Sequence, residues 1–195
     1  ALSRGMLTSP EGSVKVANVQ VLGVDERFWQ LAPKFDHTPM GSWSLKKEFR
    51  EWGPRVFFVN ERLASRLKVE VGDRLILRME EPSLFSRDAP LSVERDNKFV
   101  TMNEEFGGIV TADGFGNFGL QGNQREPLTL FVSLDALQKK LFRSLDEVSG
   151  STNFANFLLM GTEGEGEIEL VSAKKAMDES WKLADAGIEI KDLNN

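Results

Sequence analysis

Three glycines, Gly114, Gly116 and Gly119, have the spacing that comes closest to a known chemistry, because they form the pattern G-x-G-x-x-G. In a dinucleotide-binding site this pattern opens a helix, since the pyrophosphate binds at the helix N-terminus. Here the following residues read Leu-Gln-Gly-Asn-Gln-Arg-Glu-Pro, a composition typical of a loop. The pattern therefore predicts a glycine-rich loop tip, and we expect no bound cofactor.

His37 is the single histidine of the chain and lies beside Asp36, with Ser42 and Ser44 downstream. A Ser-His-Asp triad needs these groups to converge around an exposed nucleophile, and the sequence lacks the G-x-S-x-G pattern that exposes such a serine. We therefore expect a histidine in a surface loop, no catalytic residues and no enzymatic activity. A serine hydrolase that uses His37 stays open as an alternative.

The composition excludes further classes of chemistry. The chain of 195 residues has no cysteine, which rules out thiol chemistry and Cys/His metal sites. Asp113 and Asn117 lack the spacing of a calcium loop. With 24 basic and 30 acidic residues the net charge is -6, which argues against a nucleic-acid binder. We expect neither a metal nor a nucleic-acid partner.

Apolar runs never exceed four residues, whereas a membrane-spanning helix needs about 20. The sequence starts at Ala1 and shows no apolar region of a signal peptide. We therefore expect an excised piece of a larger protein, which could still be a membrane protein.

Hydrophobic periodicity in the first half predicts strands joined to short capped helices. Residues 14–24 alternate as a strand, with a slip of one residue at Ala17–Asn18 that indicates a bulge. Asp25 is placed to cap a short helix. Residues 55–59 form an apolar strand, Asn60 is a good N-cap for the next helix, and residues 74–79 alternate as a further strand.

The second half continues this mixture of elements. Residues 98–113 read as a strand interrupted at Gly107–Gly108, and residues 128–132 as a strand entering a helix capped by Ser133. Residues 156–160 resemble a buried strand, and residues 170–184 have helical spacing. The order of elements predicts an α+β fold with a mixed sheet and strand–helix–strand units.

Aromatic residues crowd the first third of the chain, which holds Phe28, Trp29, Phe35, Trp43, Phe49 and Trp52. The chain contains 14 phenylalanines and 4 tryptophans but no tyrosine. Packing in the core is one interpretation of this crowd, and an apolar surface that contacts a partner or lipid is the other.

Several strings resemble the extracytoplasmic domain of FtsX-like, MacB-type ABC transporter permeases. Residues 19–29 resemble the block V-x-G-V-D-x-x-F, and residues 59–73 resemble V-N-E-x-L-A-x-x-L-x-V-x-x-G-D. Residues 130–138 resemble F-V-x-L-x-x-L-Q, and residues 153–159 resemble the strand after it. The resemblance covers about residues 4–192, and residues 82–124 are similar to a long-insert subgroup of bacterial permeases.

This resemblance implies a single extracytoplasmic domain over residues 1–195, with porter-like units and an inserted, loop-rich β lobe at about 81–126. It places the domain in the periplasm, on the outer face of the bacterial inner membrane, within a membrane-embedded full-length protein. The implied partners are the permease's own transmembrane helices, a cytoplasmic ABC ATPase subunit and a periplasmic or outer-membrane protein, with a dimer in the full transporter. ATP hydrolysis belongs to the ATPase, because this chain has no G-x-x-x-x-G-K-[ST] motif.

The expected function is to transmit ATPase-driven conformational change to a substrate or partner outside the membrane. Candidate partner-contact residues are aromatic and basic side chains in the glycine-rich insert, namely Phe85, Arg87, Phe115 and Phe118. The alternative to a transporter domain is a free-standing periplasmic ligand-binding module, which predicts an apolar pocket of a few hundred Å³, on the order of those in known ligand sites.

Overall fold

A computed structural model describes residues 1–31, 55–80, 99–119, 126–141, 155–161 and 168–181. The chain divides into two units, Ala1–Phe157 and Leu158–Asn195. The strands described are β1 (Leu2–Thr8), β2 (Lys15–Val24), β3 (Val56–Asn60), β4 (Arg74–Glu80), β5 (Phe99–Val110) and β6 (Thr129–Ser133). The helices are α1 (Glu26–Gln30), α2 (Glu61–Leu67), α3 (Leu134–Leu141) and α4 (Leu170–Ser180), and a 3-10 turn spans Ala112–Gly114.

The strands of the first unit close into a barrel in the order β1-β2-β6-β3-β5-β4, with β4 pairing back to β1. Two pairs, β2 with β6 and β3 with β5, are parallel, and the other neighbours are antiparallel. Each strand of the barrel therefore has two partners, and closure removes open sheet edges. The predicted α+β class with a mixed sheet is confirmed.

Two bulges shape the barrel wall at the places where the sequence predicts irregularities. In β2, Ala17 and Asn18 together oppose the single residue Met6 of β1. Asn18 has a left-handed φ of 56°, which asparagine tolerates better than most residues. In β5 the register shifts around Gly107, and the strand continues past it to Val110. The bulge predicted at Ala17–Asn18 is confirmed, whereas the interruption predicted at Gly107–Gly108 is a register shift within one continuous strand.

The main core fills the barrel interior. Alternation in β4 buries Leu75, Leu77 and Met79 and leaves the residues between them exposed, as the sequence predicts. Helices α2 and α3 bury their leucines in the same core, Leu63 and Leu67 from α2 and Leu137 and Leu141 from α3. A second apolar cluster lies on the outer face of β2, β3 and β6, where Trp29 of α1 packs.

The predicted strand–helix–strand order of β3, α2 and β4 is confirmed, but the two strands are not neighbours. β5 lies between them, parallel to β3 and antiparallel to β4. The turn after α2 docks on β5, because Gly72 N donates to Phe106 O at 2.8 Å and Phe106 N donates to Asp73 O at 2.7 Å. This redirection depends on a strand distant in sequence, so local periodicity does not reveal it.

The stretch predicted as an inserted lobe, residues 81–126, contributes β5 to the barrel through its second half. Residues 81–98 and 120–125 lie outside the described residues. The sequence also predicts a short helix over residues 45–51 and a last strand that begins at Ile188, and both lie outside the described residues. No strand was predicted over β1, where Gly5 and Arg4 interrupt a simple apolar alternation.

The buried strand predicted over residues 156–160 is wrong, since these residues form no strand and Leu158 is 65% exposed. This apolar run pairs with none of the described strands, each of which already has two neighbours in the barrel. The helix predicted over residues 170–184 is confirmed over Leu170–Ser180 as α4 of the second unit, and residues 182–184 lie outside the described residues. Within the described part of the chain, no helix has the length and apolarity needed to cross a bilayer.

Candidate partner-binding surface

The structure brings two of the four predicted contact residues together on the outer face of the barrel. Phe115 and Phe118 follow the 3-10 turn, and their ring centroids lie 5.7 Å apart. Both side chains are half-buried. The other two predicted residues, Phe85 and Arg87, lie outside the described residues.

Phe115 and Phe118 belong to a larger group of packed rings, which we call the aromatic cluster. Phe28 lies at its centre, with ring centroids 5.1 Å from Trp29, 5.4 Å from Phe115 and 5.6 Å from Phe118. Edge-to-face and tilted arrangements at these distances are favourable for aromatic pairs. The full cluster comprises Phe28, Trp29, Phe115, Phe118, Phe131 and Phe157.

The cluster has a buried floor and a partly exposed rim. Trp29 and Phe131 are fully buried, with ring centroids 5.2 Å apart, and anchor the cluster on the barrel wall. Phe28, Phe115 and Phe118 are half-buried above them. Rings that are fixed from below and exposed from above are typical of surfaces that contact a partner.

Helix α1 positions the first two rings of the cluster. Asp25 caps the helix, because its Oδ1 accepts a hydrogen bond from Arg27 N at 3.0 Å. The Arg27 guanidinium also donates to Asp25 Oδ2, from Nε at 2.9 Å. This pair holds the pKa of Asp25 below its usual range. The predicted cap is therefore confirmed, and it fixes the start of α1 and with it the positions of Phe28 and Trp29.

The glycine pattern of residues 114–119 has a structural role in this surface. Thr111 O accepts hydrogen bonds from Gly114 N at 3.0 Å and from Gly116 N at 2.8 Å, which turns the chain back on itself. Phe115 has a left-handed φ of 68°. A Cβ at Gly116 would lie 2.3 Å from Val110 O, so a side chain does not fit there. The predicted glycine-rich loop is confirmed, and its tight turn presents the Phe115 ring.

Two long-range polar contacts fix the remaining rings. Gln20 Nε2 donates to Phe118 O at 2.8 Å, which ties the loop to β2. Asn156 bonds the backbone of β1 twice, since Leu2 N donates to Asn156 Oδ1 at 2.8 Å and Asn156 Nδ2 donates to Leu2 O at 2.6 Å. The second contact places Phe157 next to Phe118, with centroids 6.0 Å apart.

The aromatic cluster consists of phenylalanine and tryptophan side chains, which carry no acid or base, so it offers apolar contact surface and no acid–base group. Burial raises the pKa of Glu104, opposed mainly by the nearby Arg55 and Lys140. Glu104 lies on the same face of β5 as Met102 and Phe106, which belong to the barrel core and not to the aromatic cluster. In the described ranges, no group of three or more His, Asp and Glu side chains could hold a metal ion.

The residues that sequence reasoning associated with a hydrolase, Asp36, His37, Ser42 and Ser44, lie outside the described residues. Sequence reasoning singled out four residues of the aromatic cluster and missed two, Phe131 and Phe157. The crowding of aromatic residues near residue 28 was a signal for Phe28 and Trp29, whereas Phe131 and Phe157 were assigned to strands without reference to a surface.

Comparison with protein-family models gives no match for the chain, and comparison with curated proteins gives none either.

Proposed function

We propose that this chain is the extracytoplasmic domain of an FtsX-like, MacB-type ABC transporter permease and that it binds a partner through the aromatic cluster. The observation that carries the proposal is where the family-like sequence blocks fall. Each of the first three blocks spans a junction at which a barrel strand passes into a helix. Residues at such junctions determine where a helix begins and which side chains it places on the surface. The resemblance is therefore not confined to the alternating patterns that many strands share.

The first block, residues 19–29, contains the end of β2, the cap residue Asp25 and the two aromatic residues of α1. The second block, residues 59–73, contains the end of β3, the cap Asn60, helix α2 and the turn that docks on β5. In both blocks the polar residue of the motif is the helix cap, which gives its position a physical reason.

The third block, residues 130–138, runs from β6 into α3. β6 is parallel to β2, with Leu22 opposite Phe131. The first and third blocks therefore lie side by side in the barrel and together supply Trp29 and Phe131, the buried floor of the aromatic cluster. The resemblance and the cluster thus concern the same part of the molecule.

A closed barrel is a stiff body, since each strand is hydrogen-bonded on both sides. Such a body can transmit helix movement as a rigid rotation or translation, without chemistry of its own. We infer that the domain is not an enzyme, and that its partners are the permease's own transmembrane helices, a cytoplasmic ABC ATPase and an extracytoplasmic protein at the cluster. A periplasmic location and a dimeric full transporter are parts of the same proposal.

The gene that encodes this sequence gives the first test. The proposal expects an apolar run of about 20 residues on each side of the region that encodes the domain. A gene without such a run on either side would refute the permease assignment and would leave a free-standing module.

The second test locates the partner surface by photo-crosslinking in the full-length protein in cells. A photoreactive phenylalanine analogue at Phe115 should form an adduct with an extracytoplasmic protein, since this ring is at the rim of the cluster. Val71 is the matched control, because it is an apolar residue 63% exposed in the turn between α2 and β4. Equal adducts at both positions, or none at Phe115, would contradict a partner-binding role for the cluster.

A free-standing ligand-binding module is the second candidate. The barrel carries an open groove of about 410 Å³ on its outer surface, which has the volume that such a module predicts, but Arg4 and Arg78 line it where an apolar pocket is expected. The serine hydrolase alternative concerns His37, which is outside the described residues.

A further inference from the structure

The groove lies on the face of the barrel formed by β1, the β2 bulge, β4 and the start of β5. Its volume of about 410 Å³ is within the range of small-molecule sites. The side chains that line it and bear on its chemistry are Arg4, Met6, Asn18, Arg78, Glu80 and Phe99. None of them belongs to the aromatic cluster, so the groove is a separate feature of the same barrel.

Two arginines give the groove its charge. Arg4 on β1 and Arg78 on β4 are both exposed, and neither forms an ion pair with another described residue. Elsewhere in the first unit arginines do find carboxylates, as Arg27 does with Asp25. Glu80 is the single carboxylate among the lining residues, so the groove is cationic in a chain whose net charge is -6.

Arg78 is held in place by an aromatic ring. Its guanidinium carbon lies 4.2 Å from the centroid of the Phe99 ring, and Phe99 is 48% exposed. A guanidinium stacked on a ring keeps its N–H donors at the edge of its plane, where they can form paired hydrogen bonds to an oxyanion. The stack therefore orients the donors of Arg78 and places an apolar surface beside them.

The bulge in β2 is the third feature of the groove. Ala17 and Asn18 both line it, and Asn18 has a left-handed φ of 56°. Bulges redirect side chains and are enriched next to functional sites. A non-glycine residue in the left-handed region is a reason to look for a function at that place.

Barrel closure limits what can bind on this face. A peptide cannot add to the sheet as an extra strand, because each strand already has two neighbours. Recognition at the groove must therefore depend on side chains, and its side chains offer guanidinium donors beside an aromatic ring.

We propose that this groove is a binding site for a small organic oxyanion, a carboxylate or a phosphate monoester, carried on an apolar stem. Arg4 and Arg78 bind the oxyanion, and Phe99 and Met6 contact the stem. The inference stands on the geometry of the barrel and does not depend on the transporter assignment.

The test is a titration of the full 195-residue chain with small anions. Binding is measured by isothermal titration calorimetry and by changes in the backbone amide chemical shifts in NMR. The probes are phenylacetate and phenyl phosphate, and phenylacetamide is the neutral analogue of the first. We expect one or both anions to bind and to shift the amides of Asn18, Arg78 and Phe99. The stronger of the two anions identifies the oxyanion class.

Variants of the arginines make the test specific. Arg4→Gln and Arg78→Gln should each weaken anion binding by about tenfold or more, since each removes charge-assisted hydrogen bonds. Arg74→Gln is the matched control, because it removes the same charge from the same face of β4 outside the groove. This control should leave the affinity within about twofold, as expected for a screened surface charge. Thermal unfolding verifies that each variant is folded. If Arg78→Gln does not fold, Arg78→Lys takes its place.

Three results would overturn the proposal. Phenylacetamide could bind as tightly as phenylacetate, which would show that charge has no role. Both groove variants could bind the anions as the wild type does, or neither anion could bind at millimolar concentration.

Discussion

Substitution of Asn60 tests directly how the barrel is held together, because this one buried side chain connects β3, α2 and the start of β6. Its Oδ1 accepts hydrogen bonds from Leu63 N at 3.0 Å and from Thr129 N at 3.2 Å. Its Nδ2 donates to Pro127 O at 2.8 Å. Asn60 thus caps α2 and at the same time holds the beginning of β6 against the end of β3. The sequence predicts the cap but not the contact with β6.

The expected cost of Asn60→Ala follows from these contacts. Loss of an N-cap costs about 1 kcal/mol. Thr129 N, in a residue with no exposed surface, loses its acceptor as well, and an unsatisfied buried group costs about 1–3 kcal/mol. Pro127 O is only partly buried, so water can replace its donor. We therefore expect Asn60→Ala to lower the free energy of unfolding by about 3 kcal/mol.

Urea unfolding, analysed by linear extrapolation, measures this difference. Asn60→Asp refines it, because the carboxylate keeps the acceptor for Leu63 N and Thr129 N but loses the donor to Pro127 O. This variant should be destabilised at neutral pH and should recover as the pH falls, since a protonated carboxyl regains a donor.

Ser65→Ala is the control for Asn60→Ala, because it removes an exposed hydroxyl of the same helix that donates to Arg62 O. Its effect should stay within about 0.5 kcal/mol. If Asn60→Ala lowered the free energy of unfolding by less than about 1 kcal/mol, with an unchanged m-value in urea, the view that this side chain joins the three elements would be refuted.

Three further predictions concern single positions. Gly116→Ala should destabilise by about 2 kcal/mol or more in urea, since its Cβ would lie 2.3 Å from the Val110 carbonyl oxygen, whereas at Gly119 the nearest atom is 3.6 Å away and Gly119→Ala should be nearly neutral. Trp29→Ala should lower the free energy of unfolding by about 3–5 kcal/mol, measured by urea unfolding followed by circular dichroism. A loss as small as that expected for an exposed residue would refute the anchoring role of Trp29. Because the pKa of Glu104 is raised, the folded state binds a proton at this carboxyl more readily than the unfolded state does. Proton binding by Glu104 therefore stabilises the folded state at acid pH, and this contribution is lost as the pH rises through the raised pKa. Glu104→Gln should therefore gain stability relative to the wild type between acid and neutral pH, and a gap that does not change with pH would contradict the stated cause.

Elements fixed by local chemistry could be predicted from the sequence. The helix caps Asp25 and Asn60 carry their own acceptors, and the bulge at Ala17–Asn18 appears as a slip in alternation. What could not be predicted depends on pairing between distant strands. β5 between β3 and β4 is one case, and β1, which pairs with both β2 and β4, is another. Register of this kind is set by complementary surfaces and leaves no local periodicity.

The two candidate surfaces divide in the same way. The aromatic cluster could be predicted in part, because Phe115 and Phe118 lie next to each other in a glycine-rich loop. Its floor could not be predicted, because Trp29 and Phe131 meet only when β2 and β6 pair in parallel.

The cationic groove gives no signal in the sequence, since Arg4 and Arg78 lie far apart along the chain and come to line one groove only through the pairing of β1 with β4. Closure of the barrel is the common cause of both surfaces. It removes the sheet edges through which many β proteins bind, so the surface that the barrel offers consists of the outward side chains of its strands and loops. Those side chains are apolar and aromatic around β2, β3 and β6, and cationic around β1 and β4. The partner protein and the small anion that we propose would therefore occupy separate places on the same barrel.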